Sequence, residues 1–205
     1  MSDAVDIHTI LNLPPTFTKQ ATASNITRTS MNISATATDD GIGDQLTYIF
    51  YWGTSSSNLT RVTSNATGSF SKTGLTHSTT YYYRIDAYDG IDTTTGTVGS
   101  TATSVNHVPT APTVSVSKVS SSTSKLSIST KSTDSDGDTL TYTILRGTSS
   151  SNITTSRGTT SGSSGSTVSF TDTGLSSNTT YYYKVKVTDG YGGEATSTSY
   201  GSQRT

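Results

Sequence analysis

The chain has 205 residues with a formal net charge of -1, 29% hydrophobic and 13% charged residues, and no cysteine. Its length suits two domains of about 100 residues each, and low hydrophobicity without high charge is not the composition of a disordered polyelectrolyte. The missing cysteines exclude disulfides, thiolate metal sites and Cys nucleophiles; the balanced charge, with no Lys/Arg cluster, argues against a nucleic-acid stripe or an anionic-membrane patch.

No stretch approaches the eighteen apolar residues of a membrane span, so no membrane insertion is expected, and the first residues lack the basic and apolar regions of an export signal. Ser and Thr supply 82 residues. Thr fits a pleated surface through its branched Cβ, so much of it is expected on the outer faces of strands.

In chain order, residues 1–13 read as an N-terminal arm whose apolar Val5, Ile7, Ile10, Leu11 and Leu13 suit docking onto a neighbour's sheet edge. Pro14-Pro15 then opens a first domain, 14–106. Within it, alternation at Met31, Ile33 and Ala35, at Tyr48, Phe50 and Trp52, and at Tyr81, Tyr83, Ile85 and Ala87 marks three half-buried strands. A proline-bearing linker, 107–112, leads to a second domain, 113–205, where Tyr181, Tyr183, Val185 and Val187 repeat the last pattern.

The two halves share more than composition. The string GTSSSN at Gly53–Asn58 recurs at Gly147–Asn152, offset by 94, and the TGL and TTYYY strings of Thr73–Tyr83 recur at Thr173–Tyr183, offset by 100. The second copy has therefore gained six residues, around SGSSGS, as a hairpin-loop insertion. Order and spacing hold through both copies, as in a duplicated domain. Period two dominates and no helical periodicity is sustained, so the fold class is all-β: two antiparallel sandwiches preceded by an extended arm.

The run from Leu75 to Ile85, a Leu, a short turn, Thr-x-Tyr and then alternating core residues, resembles the sixth strand of fibronectin type III domains, and Leu175–Val185 matches it equally. The acidic turn before Leu-Thr-Tyr and the Asp-Gly pairs at Asp89-Gly90 and Asp189-Gly190 look like the bacterial and viral branch of these Ig-like domains. The resemblance covers about residues 14–205 and implies a tyrosine corner at Tyr81 and Tyr181. It departs in placing the sole Trp, Trp52, on the third strand rather than the second.

Candidate sites are few. Asp134, Asp136 and Asp138, with Asp39, Asp40 and Asp44 in the first copy, place carboxylates around a glycine as a calcium ion would need, although Leu145 stands where an EF-hand requires Glu. The same Asp and Gly residues suffice to build the turn by themselves. Calcium is the sole cofactor considered. Alternation turns Tyr82 and Tyr182 outward, and with Tyr51, Tyr88 and Tyr191 they could stack on sugar faces or simply shield their strand neighbours. Six of the eight Asn begin N-x-Ser/Thr triplets, a mild excess in so Ser/Thr-rich a chain.

His8, His77 and His107 accompany no nucleophile elbow, and no carboxylate pair is brought together by spacing, so no enzyme is expected. The expected role is non-enzymatic. It is that of a virion structural or decoration protein of the bacteriophage kind, joined to other subunits by the arm and binding host glycans. The alternative is a secreted or cell-surface adhesion module or filament subunit. Either places the chain on a virion surface or outside cells.

Overall fold

The computed structural model describes residues 12–39, 45–119 and 124–205. Contacts divide it into two compact units, Met1–Val105 and Asn106–Thr205, each an antiparallel β-sandwich. Among the described residues no helix is long and apolar enough to cross a membrane.

In the first unit, β1 (Thr16–Ser24), β2 (Ser30–Thr38) and β5 (Ser69–Thr73) form a three-stranded sheet in the order β1-β2-β5. The facing sheet runs β4-β3-β6, from β3 (Thr47–Gly53), β4 (Thr60–Asn65) and β6 (Thr80–Tyr88). Its far edge is shared by β7 (Thr93–Thr94) and β8 (Gly99–Ala102), which pair with opposite ends of β6. The edge breaks between them where the buried Asp86 carboxylate accepts the Gly96 N–H at 3.1 Å.

The second unit repeats this plan. One sheet is β9 (Thr113–Lys118), β10 (Leu126–Lys131) and β13 (Val168–Asp172), in the order β13-β10-β9. The other is β12 (Thr155–Ser163), β11 (Thr139–Gly147) and β14 (Thr180–Thr188), edged by β15 (Glu194–Thr196) and β16 (Gly201–Arg204). The hairpin insertion read from the sequence lengthens β12 to 9 residues against 6 in β4. Where β12 bulges against β11, Gly158 takes φ of +147°, and a Cβ there would press into the Phe170 ring.

Side chains alternate across every central strand, so each core is built by period two. Met31, Ile33, Tyr48, Phe50, Trp52, Tyr81, Tyr83, Ile85 and Ala87 close the first, with Phe17 and Phe70 at its margin. Leu126, Ile128, Leu140, Tyr142, Ile144, Tyr183, Val185 and Val187 close the second. Each large apolar side chain so buried contributes about 1.5–3 kcal/mol, which is how chains poor in hydrophobic residues can fold when those few are aligned.

Two tyrosine hydroxyls per unit stitch the layers. The Tyr81 hydroxyl accepts the Thr76 N–H at 2.9 Å and that of Tyr181 accepts the Ser176 N–H at 3.1 Å, the corner geometry at both positions. A second pair, less evident from the sequence, has the Tyr48 hydroxyl accepting the Ala37 N–H and the Tyr142 hydroxyl accepting that of Ser132. Burial pushes the Tyr142 phenol above its ordinary pKa despite the Ser132 bond.

The copies differ at the position held by Trp52 in the first and by Arg146 in the second. Trp52 lies on β3, inside the core, with its ring stacked on Tyr81 at 5.0 Å and on Tyr83 at 6.4 Å. Arg146 instead sets its guanidinium over Tyr181 at 5.0 Å and reaches the Asp172 carboxylate at 3.1 Å. Asp172, with a side chain 1% exposed, also receives Arg157 at 3.0 Å and the Tyr183 hydroxyl at 3.0 Å. Burial first, and then the Asp172 charge, push the Tyr183 phenol far above its ordinary pKa.

Removing the buried carboxylate leaves the buried Tyr183 hydroxyl without its acceptor and two part-exposed guanidiniums without their counter-charge. Asp172→Ala is therefore expected to destabilise the second sandwich by about 3–5 kcal/mol while leaving the first unchanged. Urea unfolding followed separately through Trp52 fluorescence, which reports the first unit alone, and through far-UV circular dichroism reads the two effects.

Candidate functional site

One end of the second sandwich gathers most of the chemistry-bearing loops. It is assembled from the entry segment at Asn106 and His107, the β10–β11 turn containing Asp134, Asp136 and Asp138, and the Asp-Gly turn after β14. Residues 107–112, expected as a linker, fall within the second compact unit, which begins at Asn106. Thr110 donates its N–H to the Thr133 carbonyl at 2.8 Å, and Thr133 returns its own N–H to the Thr110 hydroxyl at 2.9 Å.

The Asp-Gly turn is an anchor for this segment. One oxygen of Asp189 accepts the Tyr191 and Gly193 N–H groups, and the other accepts the Asn106 amide at 2.8 Å. A Cβ at Gly193 would collide with that carboxylate, so the glycine is what lets Asp189 fold over its own turn. The first unit repeats the device: Asp89 accepts the Ile91 and Asp92 N–H groups on one oxygen and the Asn12 amide, at 3.2 Å, on the other. The sequence carried the signal, an Asn three residues ahead of a Pro in each copy, but nothing local to the Asn says which loop it meets.

Burial works to raise the pKa of Asp89 and Asp189, yet the donors around them outweigh it and hold both below the ordinary value.

The acidic turn differs from this anchor. Asp134, Asp136 and Asp138 each bring a carboxylate oxygen to within 4.8 Å of the other two. Asp134, 7% exposed, accepts the Asp136 N–H on Oδ1 at 2.8 Å, while its Oδ2 is buried with no hydrogen-bond partner. Asp136 accepts the His107 N–H at 2.7 Å on Oδ2 and lies 2.9 Å from the His107 ring on Oδ1. Beside the turn, an open depression is lined by Gly137, Asp138, Thr139, Asp189, Gly190 and Tyr191. In the first copy Asp39 likewise has both oxygens buried and unpartnered among the described residues; Asp40 and Asp44 lie outside them.

The tyrosines proposed for stacking are scattered. Tyr51 has one face covered by the Arg84 guanidinium at 4.3 Å, Tyr82 is half-buried, and the Tyr88 hydroxyl donates to the Gly90 carbonyl of its own turn. Tyr191 is 40% exposed beside the acidic turn. Tyr182 meets Tyr200 edge-on at 5.4 Å, and Tyr200 is itself 47% exposed. Tyr200 was not singled out in the sequence because it stands outside the repeated TTYYY string and shows no alternation. Of the arm residues, Leu13 is half-exposed, and Val5, Ile7, Ile10 and Leu11 lie outside the described residues. His77 contacts Ser78 in the turn before β6, and His107 serves the acidic turn.

Solved structures of similar fold include the FN1-FN3 domains of chicken CNTN1, 17% identical with a TM-score of 0.39. That match covers 94% of this chain, which spans 65% of the CNTN1 chain. The sixth fibronectin type III domain of human fibronectin type III domain containing protein 3 is 17% identical with a TM-score of 0.41, over 49% of this chain and 93% of that one. No family model matches the chain, and no curated protein does.

A carboxyl whose folded pKa is depressed stabilises the native state above its unfolded pKa and loses that contribution as pH falls through the folded value. The Asp89 and Asp189 anchors should therefore hold undiminished from neutral pH down to about the ordinary carboxylate value of 3.8, and weaken below it. Urea midpoints measured across this range are expected to fall more shallowly in acid for Asp189→Asn than for the parent.

Proposed function

We propose that this tandem of fibronectin type III-like sandwiches is a non-enzymatic structural and binding module, working on a virion surface as a structural or decoration subunit. The observation that supports a non-catalytic role is the disposition of four of the five buried acids among the described residues. Asp86, Asp89, Asp172 and Asp189 are each held on both oxygens by arginine, tyrosine, asparagine or backbone donors. Carboxylates held in this way brace loops and strands.

The outward strand faces are Ser/Thr-rich and close to neutral, as befits a projecting surface. The apolar run from Val5 to Leu13 is accounted for by neither copy of the repeat, and it supports attachment to other protein subunits. Sedimentation of a native lysate through a density gradient tests the reading. Co-migration with nucleic-acid-containing particles, lost when residues 1–11 are deleted, is the expected result; recovery in soluble or cell-surface fractions would replace it with the adhesion module.

Host-glycan binding is the second part of the proposal, and the Tyr182–Tyr200 pair is where ring area is exposed. On a glycan array the parent chain is expected to give a signal that Tyr182→Ala and Tyr200→Ala each reduce about tenfold, the loss of one good stacking contact. A parent chain that gives no signal removes the glycan from the account.

A further inference from the structure

We propose that the β10–β11 turn of the second sandwich is a calcium site, with Asp134, Asp136 and Asp138 as its carboxylate ligands. Three carboxylates drawn to within 4.8 Å of one another repel, and a cation among them would relieve that repulsion. An acidic turn alone would not make a site, because asparagine or serine caps the same geometry.

The second observation is Asp134. Among the described residues five aspartates are buried: Asp86, Asp89, Asp134, Asp172 and Asp189. Asp134 alone of these keeps a carboxylate oxygen without a donor. Leaving a buried acceptor unpaired is costly, and more so when it is charged. The chain has ample Ser, Thr and Asn with which to satisfy it, as it satisfies the other four. An oxygen kept buried and unpaired beside two further carboxylates is what a cation would occupy.

The remaining ligand capacity is compatible with this. Each carboxylate oxygen has two acceptor positions, so the Asp136 oxygens can keep their His107 contacts and still face a metal. The turn bends at Gly137 with φ of +79°. All-oxygen ligands on a single irregular turn suit calcium, which accepts six to eight ligands in variable geometry; magnesium demands a near-ideal octahedron. With three protein carboxylates on an open turn, an affinity in the range of extracellular modules, about 0.1–1 mM, is expected.

Because His107 bonds Asp136 through both backbone and ring, the ion would also fasten the entry segment to the turn. The proposal is independent of where the chain resides and can succeed if the virion reading fails. Titrating the full chain with calcium chloride, by calorimetry and by thermal unfolding, tests it. Saturable binding with an upward shift of the unfolding midpoint is expected. Asp138→Asn and Asp136→Asn should each weaken the second-sandwich ion at least tenfold, while far-UV circular dichroism remains that of the parent.

Asp134→Asn serves as a further variant: if the unpaired oxygen exists for calcium, the asparagine chain is at least as stable as the parent in chelator and gains nothing from calcium at this turn. Absence of binding at 10 mM calcium would overturn the proposal. So would binding that Asp136→Asn and Asp138→Asn leave unchanged, since that would place the ion elsewhere.

Discussion

Each sandwich depends on one constraint: a central strand must present unbroken inward alternation to two sheets at once. β6 does this through Tyr81, Tyr83, Ile85 and Ala87, and β14 through Tyr181, Tyr183, Val185 and Val187. Both strands pair on one side with the third strand of their copy and on the other with a broken edge. Their side chains touch both layers, and the tyrosine corner fixes where each strand begins. With under a third of the residues hydrophobic, neither core has material to spare, so a register slip of one residue would empty it.

What surrounds this constraint is polar bracing. Asp89 and Asp189 tie the entry of each unit to its Asp-Gly turn, and the Thr103 and Thr205 hydroxyls donate to the Thr76 and Ser176 carbonyls beside each tyrosine corner. These bonds recur in both copies, while the interior solution at Trp52 and Arg146 does not. The duplicated parts are those the sheet pairing requires; the space between the layers accommodates either an aromatic stack or a buried ion network of similar bulk. Volume and satisfied polarity decide such a position, and residue type is free to change.

The alternating strands and the two copies were legible in the sequence because each follows from period two or from a repeated string, whereas the corner roles of Tyr81 and Tyr181 were what the resemblance to fibronectin type III domains implied. The inward set Tyr48, Phe50 and Trp52 is buried as its alternation implies. The anchors were not legible, since Asn106 and Asp189 are 83 residues apart and no local pattern joins them. The bonds between Thr110 and Thr133 were out of reach for the same reason: prolines mark extended chain but not what it pairs with. At the acidic turn the sequence supplied the three carboxylates. Only the fold shows that Asp134 is buried with an oxygen unpaired.

Native-state hydrogen exchange on the intact chain tests most directly whether the two central strands hold the sandwiches. The slowest amides of each unit should fall within Tyr83–Ala87 and Tyr183–Val187 and exchange only through global unfolding of that unit. If those amides exchange as fast as the ones in the edge strands, through local opening, the cores are not organised by β6 and β14 and the account of the fold is wrong.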